Sequence, residues 1–388
     1  MIIVYCLLNM SNVINGVSEI QTLTILAVVL LAGAFLLSVI LTAITKSWAV
    51  RTGFVAIPSE ERFHKTAVPL GGGIAIFTTL SIIILAAIGA VKFLPAAGCL
   101  DRLGESVTIH IPGFLSKIGQ LAIILLCMLA LFVLGLWDDK KHLGPFFKLA
   151  VQFAVAIAAA VFADVRVELF IESRIITTII SGFWIVLIIN AFNFLDNMDG
   201  AAAGIAVIAS CVLSTAAALS GQVFVGAMAF IFIGTLLGFL VFNFPPAKIF
   251  MGDAGSLVVG FFVALLTLRT TYYHQAQSGQ WYSVLMPILV MAVPLYDFIS
   301  VTLLRISQGK SPFVGDTQHF SHRLKKHGLT DTQTVLTLYL ATLCTGLGAT
   351  FLYQVNLTGA TLIFAQTVMI LAIIAVFETT SRNDNSQN

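Results

Sequence analysis

The chain has 388 residues, of which 59% are hydrophobic and only 10% are charged, and its mean hydropathy is +1.00. These values exclude a soluble globular domain of this size, because its surface would need far more charge. The formal net charge of +2 gives no sign of nucleic-acid binding, and we expect no nucleic-acid partner. The five cysteines are scattered and form no Cys-x-x-Cys pair, so neither a disulfide framework nor a zinc site is indicated.

Apolar runs of about 18 residues or more recur along the chain, and each is long enough to cross a bilayer as a helix. Because backbone polar groups must be paired at membrane depth, these runs predict an all-α, polytopic integral membrane protein. We expect residues 1–380 to form one transmembrane catalytic domain and residues 381–388 a disordered cytoplasmic tail. The apolar start lacks a basic n-region and a small-residue cleavage site, so we do not interpret it as a cleaved signal peptide. We predict about eleven spans, in chain order Thr22–Ile44, Gly71–Val91, Ile118–Trp137, Phe147–Phe162, Ile175–Asn193, Ala201–Leu219, Val223–Phe242, Gly255–Leu268, Ser283–Leu304, Thr334–Phe351 and Ala360–Phe377.

The lysine and arginine residues predict the orientation of these spans. If the first span runs from outside to inside, the inner loops hold fourteen of these residues and the outer segments hold six. We therefore expect the N-terminus outside and the C-terminus in the cytoplasm. Each polar cluster described below is separated from the next by two spans, so all of them face the cytoplasm. Such convergence on one membrane face is what a single active site requires.

The third span ends in Asp138 and Asp139, followed by basic residues. Carboxylates at a helix C-terminus oppose the dipole of that helix, so they do not cap it. Two adjacent carboxylates also repel each other unless cations compensate. Lys140, Lys141 and Lys148 could compensate, and they could hold a phosphate headgroup. The alternative is an ordinary charged helix end.

The densest cluster is Asn190–Gly200, which stands between two apolar runs. It contains two carboxylates, Asp196 and Asp199, which we take as catalytic candidates, and the amide Asn190, which we take as a substrate-binding candidate. Asp199 alone could be the N-cap of the next helix. That explanation does not account for Asp196 or for Asn193.

Asp253 lies in a Gly-flanked turn that opens the eighth span, within Lys248–Ser256. This pattern is typical of an anion-binding nest with a metal ligand in it. A hard cation such as Mg²⁺ needs one or two carboxylates together with phosphate oxygens. The alternative is that Asp253 is only the N-cap of the following helix.

Asp297 lies about two turns inside the ninth span, where an ionisable residue is costly and is expected to be functional or paired. A structural aspartate bonded to a neighbouring helix is the alternative. Pro294 is expected to kink this span.

The loop after the ninth span contains His319 and His322, which could meet on one helix face, and Arg323. The alternative for this pair is an ordinary surface position. His64 and Lys65 lie in the first inner loop, and with Arg323 they are substrate-binding candidates.

Six stretches occur in order along the chain and carry a family resemblance. They are His64–Gly73, Asp138-Asp139, Asn190–Gly200, Lys248–Ser256, Pro294–Asp297 and Ser311–His322. Together they resemble the polyprenyl-phosphate N-acetylhexosamine-1-phosphate transferases, with the closest likeness to the branch that uses UDP-N-acetylglucosamine. The resemblance implies transfer of N-acetylglucosamine-1-phosphate from UDP-N-acetylglucosamine to undecaprenyl or another polyprenyl phosphate, with UMP as the second product. It further implies the first membrane step of a cell-surface polysaccharide pathway, in a bacterial inner membrane, and it leaves a homodimer open.

The resemblance also implies a role for individual residues. Asp253 and Asn193 would hold Mg²⁺, with Mn²⁺ as the alternative ion, and Asp138 and Asp139 would serve the polyprenyl phosphate. Four further residues complete the implied site, namely Asn243 and Phe250 at the uracil and His319 and His322 at the diphosphate or sugar.

Two motifs depart from the family pattern. The usual Asp-Gly-x-Asp-Gly reads Asp196–Gly200 with Asn197 at its second position, and asparagine tolerates positive φ. The usual His-x-His-His has Ser321 in place of one histidine, which puts that residue's contribution in doubt.

Two other functions remain as alternatives. A phospho-N-acetylmuramoyl-pentapeptide transferase would want three consecutive histidines at this position. A membrane transporter would want ionisable residues near the bilayer midplane and paired broken spans.

Overall fold

A computed structural model describes residues 14–56, 67–93, 109–167, 171–272, 280–311, 324 and 328–384. Over these residues the protein is built from helices, with one small antiparallel pair of strands, β1 (Val55–Ala56) and β2 (Val68–Pro69). The helices are α1 (Ile14–Thr52), α2 (Gly72–Phe93), α3 (Ile111–Lys141), α4 (Pro145–Phe162), α5 (Arg174–Leu195), α6 (Ala201–Leu219), α7 (Val223–Asn243), α8 (Asp253–Arg269), α9 (Met286–Val290), α10 (Ala292–Ser307), α11 (Asp331–Thr350) and α12 (Leu357–Asp384).

The predicted all-α, polytopic membrane architecture is confirmed, and a helix lies at every predicted span. Within the described ranges, eight helices are long and apolar enough to cross a membrane, and a bent pair makes a ninth. The other two predicted spans are α8, which has only 17 residues, and α11. The number eleven and the placement of the two termini therefore stay predictions. Helix α12 continues to Asp384, inside the segment 381–388 that was predicted to be a disordered tail.

Several helices extend beyond the predicted spans at their polar ends. Helix α1 covers 39 residues and α3 covers 31, so α3 includes Asp138 and Asp139 and ends at Lys141. Hydropathy marks only the part of a helix that is apolar, whereas backbone hydrogen bonding continues into the polar flanks. The Asp138–Asp139 pair is thus part of the last helical turn, and the N–H of His142 donates to the carbonyl oxygen of Asp138.

The ninth predicted span is broken, as the position of Pro294 predicted. A 3₁₀ turn over Trp281–Leu285 leads into α9, and α10 departs from that first half at an angle of 63°. Proline has no N–H to donate to the carbonyl four residues earlier, and its ring clashes with that carbonyl. The residue four positions before Pro294 is Val290, where α9 ends.

Helix α8 is the centre of the bundle, and its side chains from Ala254 to Leu266 are buried. It packs against α2, α3, α5 and α6. Two glycines allow its N-terminus to touch neighbouring backbones directly. A Cβ on Gly135 of α3 would lie 2.4 Å from the Cα of Ala254, and one on Gly73 of α2 would lie 2.3 Å from the nitrogen of Gly255. These contacts fix the first turn of α8 against two other helices.

A similar close contact joins α1 to α7 and uses a Gly-x-x-x-Gly pair. Cβ atoms on Gly234 and Gly238 would lie 2.3 Å and 2.5 Å from the carbonyl oxygens of Leu31 and Phe35. Small residues at this spacing let membrane helices approach closely, because packing rather than water exclusion drives their association. The hydroxyl of Ser38 adds a hydrogen bond of 2.6 Å to the carbonyl of Thr235.

Candidate active site

The site is built on helix ends and the segments next to them, which are held together at one end of the bundle. The segment between α7 and α8 is attached to the segment before α2 by three backbone hydrogen bonds. The N–H of Phe250 donates to Pro69, the N–H of Gly72 donates to Phe250, and the N–H of Gly73 donates to Met251, each over 2.9 Å. The first turn of α8 is therefore fixed by both packing and hydrogen bonds.

Asp139 binds the N-terminus of α8. Its two carboxylate oxygens accept the N–H groups of Asp253 at 2.9 Å and Ala254 at 3.2 Å. A helix N-terminus has unpaired N–H groups and a partial positive charge, so a carboxylate there is favourable. Gly252, at φ +71, leaves the space, since a Cβ there would lie 2.8 Å from a carboxylate oxygen of Asp139. Asp139 does not cap its own helix, as predicted, but it does cap α8.

Asp138 points in a different direction, towards Lys148 of α4. One carboxylate oxygen accepts the N–H of Leu143 at 2.6 Å, and the other accepts the Lys148 ammonium at 2.5 Å. The same ammonium lies 3.4 Å from a carboxylate oxygen of Asp253. Lys148 thus links two carboxylates that are 115 positions apart in the chain, which are Asp138 and Asp253. It provides the compensating positive charge that the sequence required.

Asn193 lies on the other side of Asp253. Its amide nitrogen donates to a carboxylate oxygen of Asp253 at 3.1 Å and to the hydroxyl of Ser256 at 2.9 Å. Both bonds use the nitrogen, so the amide oxygen of Asn193 is free of them and can serve as an acceptor or ligand. The two residues predicted to hold a metal are therefore neighbours in the structure.

Asp253 precedes the apolar segment Gly255–Leu268, and its carboxyl group is in an environment that disfavours its charge. Burial, the hydrogen-bonded Asp138 and the charge of Asp139 raise the pKa of Asp253 above the usual range of an aspartate, and Lys148 opposes them. Such crowding of carboxylates is relieved by a cation.

In the part of the chain that the structure describes, no three His, Cys, Asp or Glu side chains are grouped as a metal site. Mg²⁺ needs fewer protein ligands than such a group, because it commonly binds one or two protein carboxylates and completes its coordination shell with water and substrate phosphate oxygens. Asp253 with the amide oxygen of Asn193 meets that requirement. The donor set therefore fits Mg²⁺, because carboxylate and amide oxygens are ligands that hard cations prefer.

The turn between α5 and α6 contains Asp199, which is buried. Its carboxylate accepts the N–H of Ala247 at 2.8 Å, so it reaches across to the segment that leads to α8. Asn243 strengthens the same connection, accepting from the N–H of Gly200 at 3.0 Å and donating to the carbonyl of Ile249 at 2.9 Å. The N-cap residues are Gly200 for α6 and Gly252 for α8, so the simpler explanations of Asp199 and Asp253 as N-caps are wrong.

Other predicted site residues lie around this centre. Asn190 donates to Gln152 at 2.6 Å, which ties α5 to α4, and Lys140 lies over the ring of Phe54 at 6.0 Å. Asp297 is buried in α10, and Asp196 is the C-cap residue that follows α5. Five predicted residues fall outside the described residues, namely His64, Lys65, His319, His322 and Arg323. The roles of all these side chains stay predictions.

Two residues that contact the site were not singled out from the sequence. Ser256 holds the amide of Asn193, and it belongs to a motif that was recognised only for its aspartate and glycines. Tyr339 of α11 donates to the carbonyl of Gly200 at 2.6 Å. Nothing local in the sequence marks a tyrosine whose partner is 139 positions away.

Known proteins are similar to this chain, both in its central segment and over most of its length. The model of glycosyl transferase family 4 matches residues 121–271, which include Asp138, Asn193 and Asp253. A Bacillus subtilis protein named a probable undecaprenyl-phosphate N-acetylglucosaminyl 1-phosphate transferase is 30% identical over 344 residues, which is 87% of each chain. This chain belongs to glycosyl transferase family 4.

Two further relatives of this family-4 chain carry related names. A Mycobacterium leprae decaprenyl-phosphate N-acetylglucosaminephosphotransferase is 31% identical and covers 87% of this chain and 86% of its own. A Salmonella typhi undecaprenyl-phosphate alpha-N-acetylglucosaminyl 1-phosphate transferase is 27% identical, with 84% and 83% covered. The family resemblance that the six motifs indicated is confirmed.

Proposed function

We propose that this protein transfers N-acetylglucosamine-1-phosphate from UDP-N-acetylglucosamine to undecaprenyl phosphate or another polyprenyl phosphate. The products are polyprenyl-diphosphate-N-acetylglucosamine and UMP, and the reaction is the first membrane step of a cell-surface polysaccharide pathway. The names of the three relatives support the acceptor and the transferred sugar phosphate. We place the enzyme in a bacterial inner membrane with its site on the cytoplasmic face, which the Lys and Arg distribution favours.

The observation that carries this proposal is the cluster of Asp138, Asp139, Lys148, Asn193 and Asp253 at the N-terminus of α8. Phosphoryl transfer needs little covalent help from a protein, because most of the catalysis is positioning and stabilisation of charge. A hydrogen-bonded group of acids, one lysine and an amide at a helix N-terminus supplies both.

Mg²⁺ fits as the cofactor, with Mn²⁺ as the alternative ion, and Asp253 and Asn193 would hold it. When bound, the ion would neutralise part of the charge of the UDP-sugar diphosphate. The ammonium of Lys148, which here lies between two carboxylates, is in reach of a phosphate oxygen that enters beside Asp138. We assign Lys148 to the lipid phosphate for this reason.

The proposed reaction forms one bond and breaks one. An oxygen of the lipid phosphate attacks the β-phosphorus of the UDP-sugar, and the bond from that phosphorus to the bridging oxygen breaks. The electron pair leaves with UMP. The second pKa of a phosphate monoester is about 6, so the nucleophile is mostly dianionic at neutral pH and needs little help from a base. Asp138 then acts by orienting Lys148 rather than by removing a proton.

The test is release of UMP by the purified protein in detergent with UDP-N-acetylglucosamine, undecaprenyl phosphate and Mg²⁺. We expect Asp253→Asn to abolish Mg²⁺-dependent release, because it removes the charged ligand, whereas Asp164→Asn at the opposite end of α4 should retain it. Absence of UMP release by the unmodified protein would refute the function. Persistent activity of Asp253→Asn with unchanged metal dependence would refute the assignment of the ligand.

A further inference from the structure

Tyr339 of helix α11 contacts the turn that carries Asp199. The hydroxyl of Tyr339 donates to the carbonyl oxygen of Gly200 at 2.6 Å, and the same oxygen accepts the N–H of Gly204 at 3.0 Å. The tyrosine therefore reinforces the first hydrogen bond of α6. It lies beyond residues 121–271, the segment that the family model matches.

The packing around this bond leaves the tyrosine ring little freedom. A Cβ on Gly204 would lie 2.0 Å from ring and hydroxyl atoms of Tyr339, so only glycine admits the ring at that position. Helix α11, which carries Tyr339, packs along α6. The hydroxyl is thus held at Gly200 by the fit between two helices.

The turn that Tyr339 supports is bonded to the end of α7 and to the segment that follows it. The N–H of Gly200 donates to Asn243, which also binds Ile249, while Asp199 binds Ala247. These bonds join the turn to the last residue of α7 and to the segment between α7 and α8. The lipid-phosphate half, with Asp138 and Lys148, is built on α3 and α4 instead.

We propose that Tyr339 is a positioning residue for the nucleotide-sugar half of the site. By holding Gly200, it fixes Asp199 and the segment Asn243–Ile249 relative to α8. This inference rests on the proposed function, which assigns the polyprenyl phosphate to Lys148 and Asp138, and on the family resemblance, which implies that Asn243 and Phe250 hold the uracil. It predicts that loss of the hydroxyl affects the two substrates unequally.

The experiment compares Tyr339→Phe with Tyr282→Phe, which is a closely matched control. The hydroxyl of Tyr282 also donates to a backbone carbonyl, that of Val355. Tyr282 lies in the 3₁₀ turn Trp281–Leu285, outside the site. We expect Tyr339→Phe to lower kcat/KM for UDP-N-acetylglucosamine by about fivefold or more, the effect of losing one buried hydrogen bond. The KM for undecaprenyl phosphate should not change. Tyr282→Phe should change neither, with a similar loss of thermal stability.

A second pair of variants covers the case in which Tyr339→Phe does not fold. Gly204→Ala should displace the ring and give the same unequal effect, whereas Gly226→Ala in α7, where a Cβ meets no atom within 4 Å, should be neutral. Unchanged kinetics in Tyr339→Phe would overturn the inference, and so would equal changes in both KM values that follow stability. Failure of the unmodified protein to release UMP would instead reject the proposed function.

Discussion

Asp138 and Asp139 are adjacent in the chain but have different partners, and replacing them one at a time should separate effects on the lipid substrate from effects on the metal. Asp139→Asn keeps the shape of the side chain. It leaves one acceptor oxygen where the carboxylate offered two to the N–H groups of Asp253 and Ala254. The amide nitrogen then faces a backbone donor.

The magnitude follows from these bonds. A hydrogen bond to a charged group contributes about 1.5–3 kcal/mol, and the charge at a helix N-terminus about 0.3–1 kcal/mol more. Even the lower figure for the bond corresponds to about tenfold in a binding constant. Because the first turn of α8 carries Asp253, we expect Asp139→Asn to raise the Mg²⁺ concentration for half-maximal UMP release by about tenfold or more.

Asp138→Asn should behave differently, since its carboxylate binds Lys148 rather than the backbone of α8. We expect a raised KM for undecaprenyl phosphate and a smaller effect on the metal. The assay is UMP release, titrated separately with Mg²⁺ and with the lipid, and Asp164→Asn is the control. If the two aspartate variants shared one profile, or if Asp139→Asn left the Mg²⁺ response unchanged, the division of roles would be refuted.

The remaining predictions concern packing and the position of Asn193. Gly135→Ala should lower stability by about 1–3 kcal/mol, measured by thermal denaturation in detergent, because its Cβ collides with the backbone of α8. Gly119→Ala on the same helix has open space and should have no such effect; equal stability of both variants would contradict the packing argument. Ser256→Ala removes a hydrogen bond of Asn193, which is worth about 1 kcal/mol. We therefore expect it to raise the half-saturating Mg²⁺ concentration severalfold. Ser116→Ala, which removes a serine hydroxyl from α3, should leave that concentration unchanged. An unchanged Mg²⁺ response of Ser256→Ala would show that the serine does not orient the amide.

The sequence predicted the helices well because the signal is local. A run of apolar residues predicts a helix buried in lipid or protein. A proline predicts a break in a helix, as Pro294 did for the ninth predicted span. It also predicted that Asp138, Asn193 and Asp253 converge, because counting spans assigns loops to one membrane face without any knowledge of packing. Their contacts through Lys148 and the amide agree with that reasoning.

The division of work within the cluster could not be predicted in this way. Whether Asp138 or Asp139 meets α8 depends on the rotation of α3 about its axis, and one residue turns a side chain by about 100°. That rotation is set by contacts such as Gly135 against Ala254, which depend on residues far apart in sequence. The same holds for Tyr339, whose partner lies on another helix.

The short length of α8 follows from its position in the site. Its 17 residues span about 26 Å, less than the hydrocarbon thickness of about 30 Å. A lipid-facing helix of that length would leave a mismatch, but α8 is surrounded by α2, α3, α5 and α6, so the bilayer does not set its length. At its N-terminus, Asp139, Lys148 and Asn193 contact Asp253 from three different helices. The cluster gains fixed geometry in this way, because the turn that carries Asp253 is held by packing against other helices.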